Sequence, residues 1–102
     1  MSTRDLLNEV TDAISRAEAL ERAGKESEAA TAYGAVADAE EALAREFPAT
    51  DPDGAIARIG LVTAALRAGE TARALSAARR FLGDSGCSAK VRAELQRLLD
   101  QA

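Results

Sequence analysis

The residues GDSG at 83–86 set Ser85 between glycines, as a loop that offers a nucleophile would. A serine hydroxyl needs a neighbouring base to act in that way, and histidine is the usual one. The chain has no histidine in its 102 residues, which also removes the commonest metal ligand and every Cys–His pair. Ser85 therefore reads as part of a polar loop between helices. Cys87 is the single cysteine, so no internal disulfide forms. A loop facing the start of the next helix, with Lys90 nearby, would lower its thiol pKa, whereas the plainer reading is a semi-buried loop thiol. Glu18 with Glu21, and Glu40 with Glu41, have no accompanying ligands, and acidic helix faces of this kind are usually solvated. No catalytic residue, metal site or cofactor is expected, and the chain reads as non-enzymatic.

Arg73 and Arg80 stand seven apart, as do Lys90 and Arg97, so each pair forms a basic stripe on its helix. A solvated face explains such a stripe; a docking stripe for acidic surface is the sharper reading. The charge is unevenly divided, with 12 acids and 5 bases in residues 1–51 and 5 acids and 8 bases in residues 52–102. That asymmetry would let one copy dock head-to-tail on another. It does not resemble a nucleic-acid binder, which carries a net basic domain with aromatics beside its arginines. Nor does any run approach the 18 or so apolar residues of a membrane span, and the N-terminal residues MSTRDLLNEV lack an apolar leader core. A cytoplasmic setting is the default expectation, and the alanine content with the bias to arginine over lysine points to a bacterium with GC-rich codons.

The elements that position these residues are helices. Alanine is about a quarter of the chain and Tyr33, Phe47 and Phe81 are its aromatics, so the core must be leucine, valine and close-packed alanine, which favours helix over strand. Ser2 with Asp5 resembles a capping box, and Leu6, Val10, Ala13, Ala17 and Leu20 then recur at helical steps, predicting a first helix over about 3–23. Gly24 ends it. Ala29, Tyr33, Val36, Leu43 and Phe47 mark a second helix over about 26–46, which Pro48 terminates. Asp51 caps a third helix over about 52–68 with Pro52 at its first position. Its apolar residues Ile56, Ile59, Leu61, Val62, Ala65 and Leu66 cover more than one stripe, so it should meet neighbours on two sides. Gly69 stops it; a fourth helix over about 70–82 should bury Ala74, Leu75, Ala78, Phe81 and Leu82. Ser88 caps a last helix near 88–101, with Val91, Leu95, Leu98 and Leu99 inward. The expected fold is an all-α antiparallel array of five helices forming one domain.

Aligning Gly24 with Gly69 matches Arg22, Ala23, Ala29 and Ala32 to Arg67, Ala68, Ala74 and Ala77, at a period of 45 residues. These residues resemble the tetratricopeptide repeat, whose unit has a glycine at the turn, an alanine five residues on and an aromatic four after that. Gly24, Ala29 and Tyr33 fit that half of the motif; Gly69 and Ala74 fit, with Ala78 in place of the aromatic. Where the motif expects a large apolar residue eight positions before the glycine, the units have Arg16 and Leu61, and eleven before it stand Ala13 and Arg58. The period exceeds the usual 34 residues and is similar to the longer variety, about 42, of kinesin light chains and many bacterial regulators. The resemblance implies two units, about 3–47 and 52–82, followed by a capping helix over about 88–101.

It also implies a concave surface lined by the first helix of each unit. The partner-facing positions become Thr11, Ile14, Glu18 and Glu21 in one unit and Ile56, Ile59, Thr63 and Leu66 in the other; the plainer reading of the three isoleucines is core. The lysine–asparagine clamp used by some such repeats is not carried over, because Asn8, the chain's single asparagine, lies upstream of the matched units. The expected function is a protein-binding adaptor that holds a peptide or helix of another protein. The alternative is a self-associating scaffold joined through its acidic and basic halves. A two-unit array relies on neighbours to cover its apolar face, so a partner or second copy is expected against the third or fifth helix.

Overall fold

The computed structural model describes residues 2–102. It consists of five helices: α1 (Thr3–Arg22), α2 (Glu26–Glu46), α3 (Pro52–Arg67), α4 (Thr71–Leu82) and α5 (Ala89–Gln101). No strand occurs among the described residues. Each helix falls within a residue of the boundaries that the caps predict. Ser2 and Asp5 close a reciprocal capping box, Asp51 accepts from the Asp53 amide at 2.9 Å, and Ser88 accepts from the Val91 amide at 3.2 Å.

The two Arg-Ala-Gly stretches adopt one geometry. At the end of α1 the Gly24 amide donates to the Glu21 carbonyl and the Lys25 amide to the Leu20 carbonyl; at the end of α3 the Gly69 amide donates to Leu66 and the Glu70 amide to Ala65. This is the Schellman closure of a helix. It requires a left-handed residue after the cap, and Gly24 and Gly69 supply it at φ +75° and +77°. The chain then reverses at once, so α1 with α2, and α3 with α4, are antiparallel hairpins.

Each helix packs on the next, and α3 also touches α5. The result is a slab 18 Å thick, about two helix diameters, with α1, α3 and α5 in one layer and α2 and α4 in the other. The main core joins Ala13 and Ala17 of α1, Tyr33, Val36 and Ala37 of α2, Leu61, Val62 and Ala65 of α3, Ala78 and Phe81 of α4, and Leu95 and Leu98 of α5. A smaller cluster of Leu6, Val10, Ala39, Leu43 and Ala57 closes the far end of the first hairpin. Alanines at the crossing points let the helix axes approach closely. As its several apolar stripes predict, α3 meets α2, α4 and α5, and it is the central element of the array. Ile56 departs from the core reading of its helix: it is 64 % exposed.

Candidate functional site

Both α1 and α3 lie against α2, but their backbones do not meet. The gap between them is a groove of about 260 Å³. Ile14 of α1 forms one wall and Ile56, Ile59 and Thr63 of α3 the other, while Tyr33, Val36 and Glu40 of α2 form the floor. A ridge of Ile56 and Ile59 separates it from a second hollow between α3 and α5, of about 470 Å³, where Val91, Lys90 and Glu94 line the side of α5. Apolar surface that no helix of the chain covers thus runs from α1 across α3 to α5.

One end of the groove is tied by a chain of polar contacts across three helices. The Arg67 guanidinium of α3 donates to the Tyr33 hydroxyl of α2 at 3.2 Å and sits 5.4 Å from the centre of its ring, and that hydroxyl donates to the Glu21 carboxylate of α1 at 3.1 Å. Buried Tyr33 thus links α1 to α3 at that end of the groove. Farther along the floor lies Glu40, only 5 % exposed. Its carboxyl rests on Gly60 of α3; a Cβ at that position would lie 1.6 Å from Oε2. Glu40 makes no hydrogen bond or ion pair with any described residue.

Of the residues expected to face a partner, Ile14, Ile56, Ile59 and Thr63 line the groove. Thr11 is exposed on α1 with its hydroxyl bonded to the Leu7 carbonyl, Glu18 is exposed on the same helix and does not line the groove, and Glu21 is taken up with Tyr33. Leu66 is half-buried against the main core and does not line the groove. The basic stripes are less available than their spacing implies. Arg73 pairs with Asp38 at 2.9 Å and Glu41 at 3.6 Å on α2 and with Glu70 at 3.2 Å; Arg97 pairs with Glu94 on its own helix. Arg80 is exposed and rests over the Phe81 ring, while Lys90 borders the α3–α5 hollow. Cys87 is buried, its thiol donating to the Phe81 carbonyl at 3.3 Å. Burial first, and Asp84 second, push that thiol up from its ordinary value. This corrects the lowered pKa entertained for a thiol near Lys90.

No protein-family model, curated protein or solved structure matches the chain. What the groove can do follows from its own residues, and Glu40 is the one with unusual chemistry. Residue type groups Glu40 with Glu41 as a solvated pair, yet Glu40 stands four residues after Val36 and three before Leu43, in register with the apolar series of α2. An acid at a core position is a signal that a residue-type reading passes over.

Burial holds the Glu40 carboxyl up at about 7, where 4.5 is ordinary. The folded chain therefore keeps this proton to higher pH than the unfolded chain does. Stability from this group is full below about 4.5, falls as pH rises to about 7, and is level beyond. At about 1.4 kcal/mol per pKa unit the ceiling is about 3 kcal/mol, and water reaching the carboxyl along the open groove lowers it to about 1–2 kcal/mol. Urea titrations at about pH 5 and about pH 8 are expected to show that loss relative to Glu40→Gln, which has no proton to lose there. Parallel pH dependence of the two chains would mean that Glu40 titrates as a solvated acid.

Proposed function

We propose that the chain is a non-catalytic binding module that holds a helical or extended segment of another protein in the groove between α1 and α3. The carrying observation is the uncovered apolar surface: Ile56 projects beside a groove walled by Ile14 and Ile59. Ile56 is exposed and Ile14 and Ile59 are half-buried, and an exposed apolar side chain at the rim of an apolar concavity marks a docking surface more often than one standing alone. The absence of histidine from the sequence and the inert environment of Cys87 support a role in binding without catalysis.

The same reading takes the two hairpins as tetratricopeptide-like units. Their shared turn geometry supports it, as does burial of Ala29 and Ala74 five residues after the glycines and of Tyr33 four residues later. In that reading α1 and α3 are the helices of the concave face and α5 caps the array. Head-to-tail self-association draws less support, because Arg73 and Arg97 already have acidic partners within the chain.

Photocrosslinking in the cells that make the protein tests the reading. Benzoylphenylalanine in place of Ile56 is expected to trap a discrete adduct with another protein, whereas the same group in place of Glu28, exposed at the start of α2, is not. Trapping of a second copy from position 56 would move the reading to self-association. Equal trapping at both positions, or none at 56, would remove it.

A further inference from the structure

Resting on that reading, we infer that the segment held in the groove carries a lysine or arginine among its apolar residues, and that this cation pairs with Glu40. The argument begins with what the chain gives up to keep Glu40 where it is. A carboxyl group with no cation or donor is held in the floor beside Val36, and a glycine, a poor helix former, occupies the middle of α3 so that the carboxyl has room. A leucine at 40 and an alanine at 60 would remove both defects. Departures from local consistency of this kind collect at functional sites.

The carboxyl is covered but not sealed. Arg58 Nε is the side-chain atom that is fully enclosed and unpartnered among the described residues, whereas Glu40 borders the groove, so its free oxygens are reachable from it. Nothing in the groove competes for them: the titratable groups that share its lining are Tyr33 and Arg67, and these are bonded to each other. Glu21 at the end of α1 is held by the Tyr33 hydroxyl. An incoming segment with apolar residues against Ile14 and Ile59 would bring a long basic side chain over the floor, its methylenes along Val36 and its head at Glu40. Pairing under a cover that excludes water would make this one contact decisive for which segments bind.

The test is a selection from a displayed library of short random peptides, panned on the intact chain near pH 8, above the range in which Glu40 titrates. Enriched peptides are expected to share apolar residues around one lysine or arginine. Replacing that residue by norleucine should weaken binding to the wild type by roughly tenfold or more, as loss of one partner of a desolvated pair does, and should leave binding to Glu40→Gln unchanged. Gly60→Ala, which displaces the carboxyl without altering its charge, should reproduce the loss. Peptides that need Ile56 but show no basic preference, or whose basic residue counts equally on Glu40→Gln, would overturn the Glu40 pairing and leave the groove reading intact. Peptides indifferent to Ile56→Asp, or no enrichment at all, would overturn both.

Discussion

Gly54→Ala is expected to destabilise the protein by about 3 kcal/mol, even though alanine is ordinarily the better helix residue by about 1 kcal/mol. Gly54 lies in the first turn of α3, pressed against the connector from α2. A Cβ there would stand 2.0 Å from the Pro48 carbonyl oxygen and 2.9 Å from that of Phe47. Both are backbone atoms, so no side chain can swing aside. The connector is also tied down: the Phe47 carbonyl accepts from Arg58 at 3.0 Å and the Pro48 carbonyl from the Asp51 amide at 3.0 Å. Overpacking costs about 1–3 kcal/mol, and moving the connector strains or breaks hydrogen bonds worth about 1 kcal/mol each. Urea unfolding followed by circular dichroism measures the loss. Gly24→Ala and Gly69→Ala, at left-handed positions with open space around them, are expected to cost less, about 1–2 kcal/mol. A Gly54→Ala chain as stable as the wild type would mean that the connector is loose. Because Ile56 follows two residues later, the same contact also fixes the wall of the groove.

The helices were legible in the sequence because their ends are chemically marked. Ser2, Asp51 and Ser88 cap, Gly24 and Gly69 reverse the chain, and Pro48 forbids continuation, each a local effect that needs no knowledge of the fold. The groove was legible in part: counting back from the turn glycines placed Ile14, Ile56, Ile59 and Thr63 on its walls. Its floor was not. Tyr33, Val36 and Glu40 belong to α2, and whether a side chain of α2 faces core or groove depends on how far apart α1 and α3 stand. That separation depends on how α1 and α3 each pack on α2 and on Tyr33 bridging Arg67 to Glu21, pairings between residues distant in sequence. Reading acidic pairs as solvated by type misplaces Glu40, and the repeat alignment sets Arg58 where a large apolar residue is expected without saying what it touches. Each nonetheless stands in the apolar register of its helix, Arg58 three residues before Leu61 and four before Val62. Glu40 ends on the floor of the groove, and Arg58 braces the connector.

Arg58 is 9 % exposed, and its Nη1 donates to the Phe47 carbonyl at 3.0 Å and the Gly54 carbonyl at 2.9 Å, while its guanidinium lies 5.4 Å from the centre of the Phe81 ring. One side chain thus joins the end of α2, the first turn of α3 and the core face of α4. Arg58→Ala removes hydrogen bonds from a cation, each worth about 1.5–3 kcal/mol, and a ring contact of about 1 kcal/mol. Relief from burying a charge offsets part of this, leaving an expected loss of about 3 kcal/mol. Arg58→Met keeps most of the volume and gives up the donors, so its smaller loss, about 1–2 kcal/mol, separates bonding from packing. The double variant with Gly54→Ala is the sharper measurement. With Arg58 gone the connector can withdraw from the new methyl group, so the two losses should fall short of additive by at least about 1 kcal/mol. Additivity within about 0.5 kcal/mol would show that Arg58 does not hold the connector.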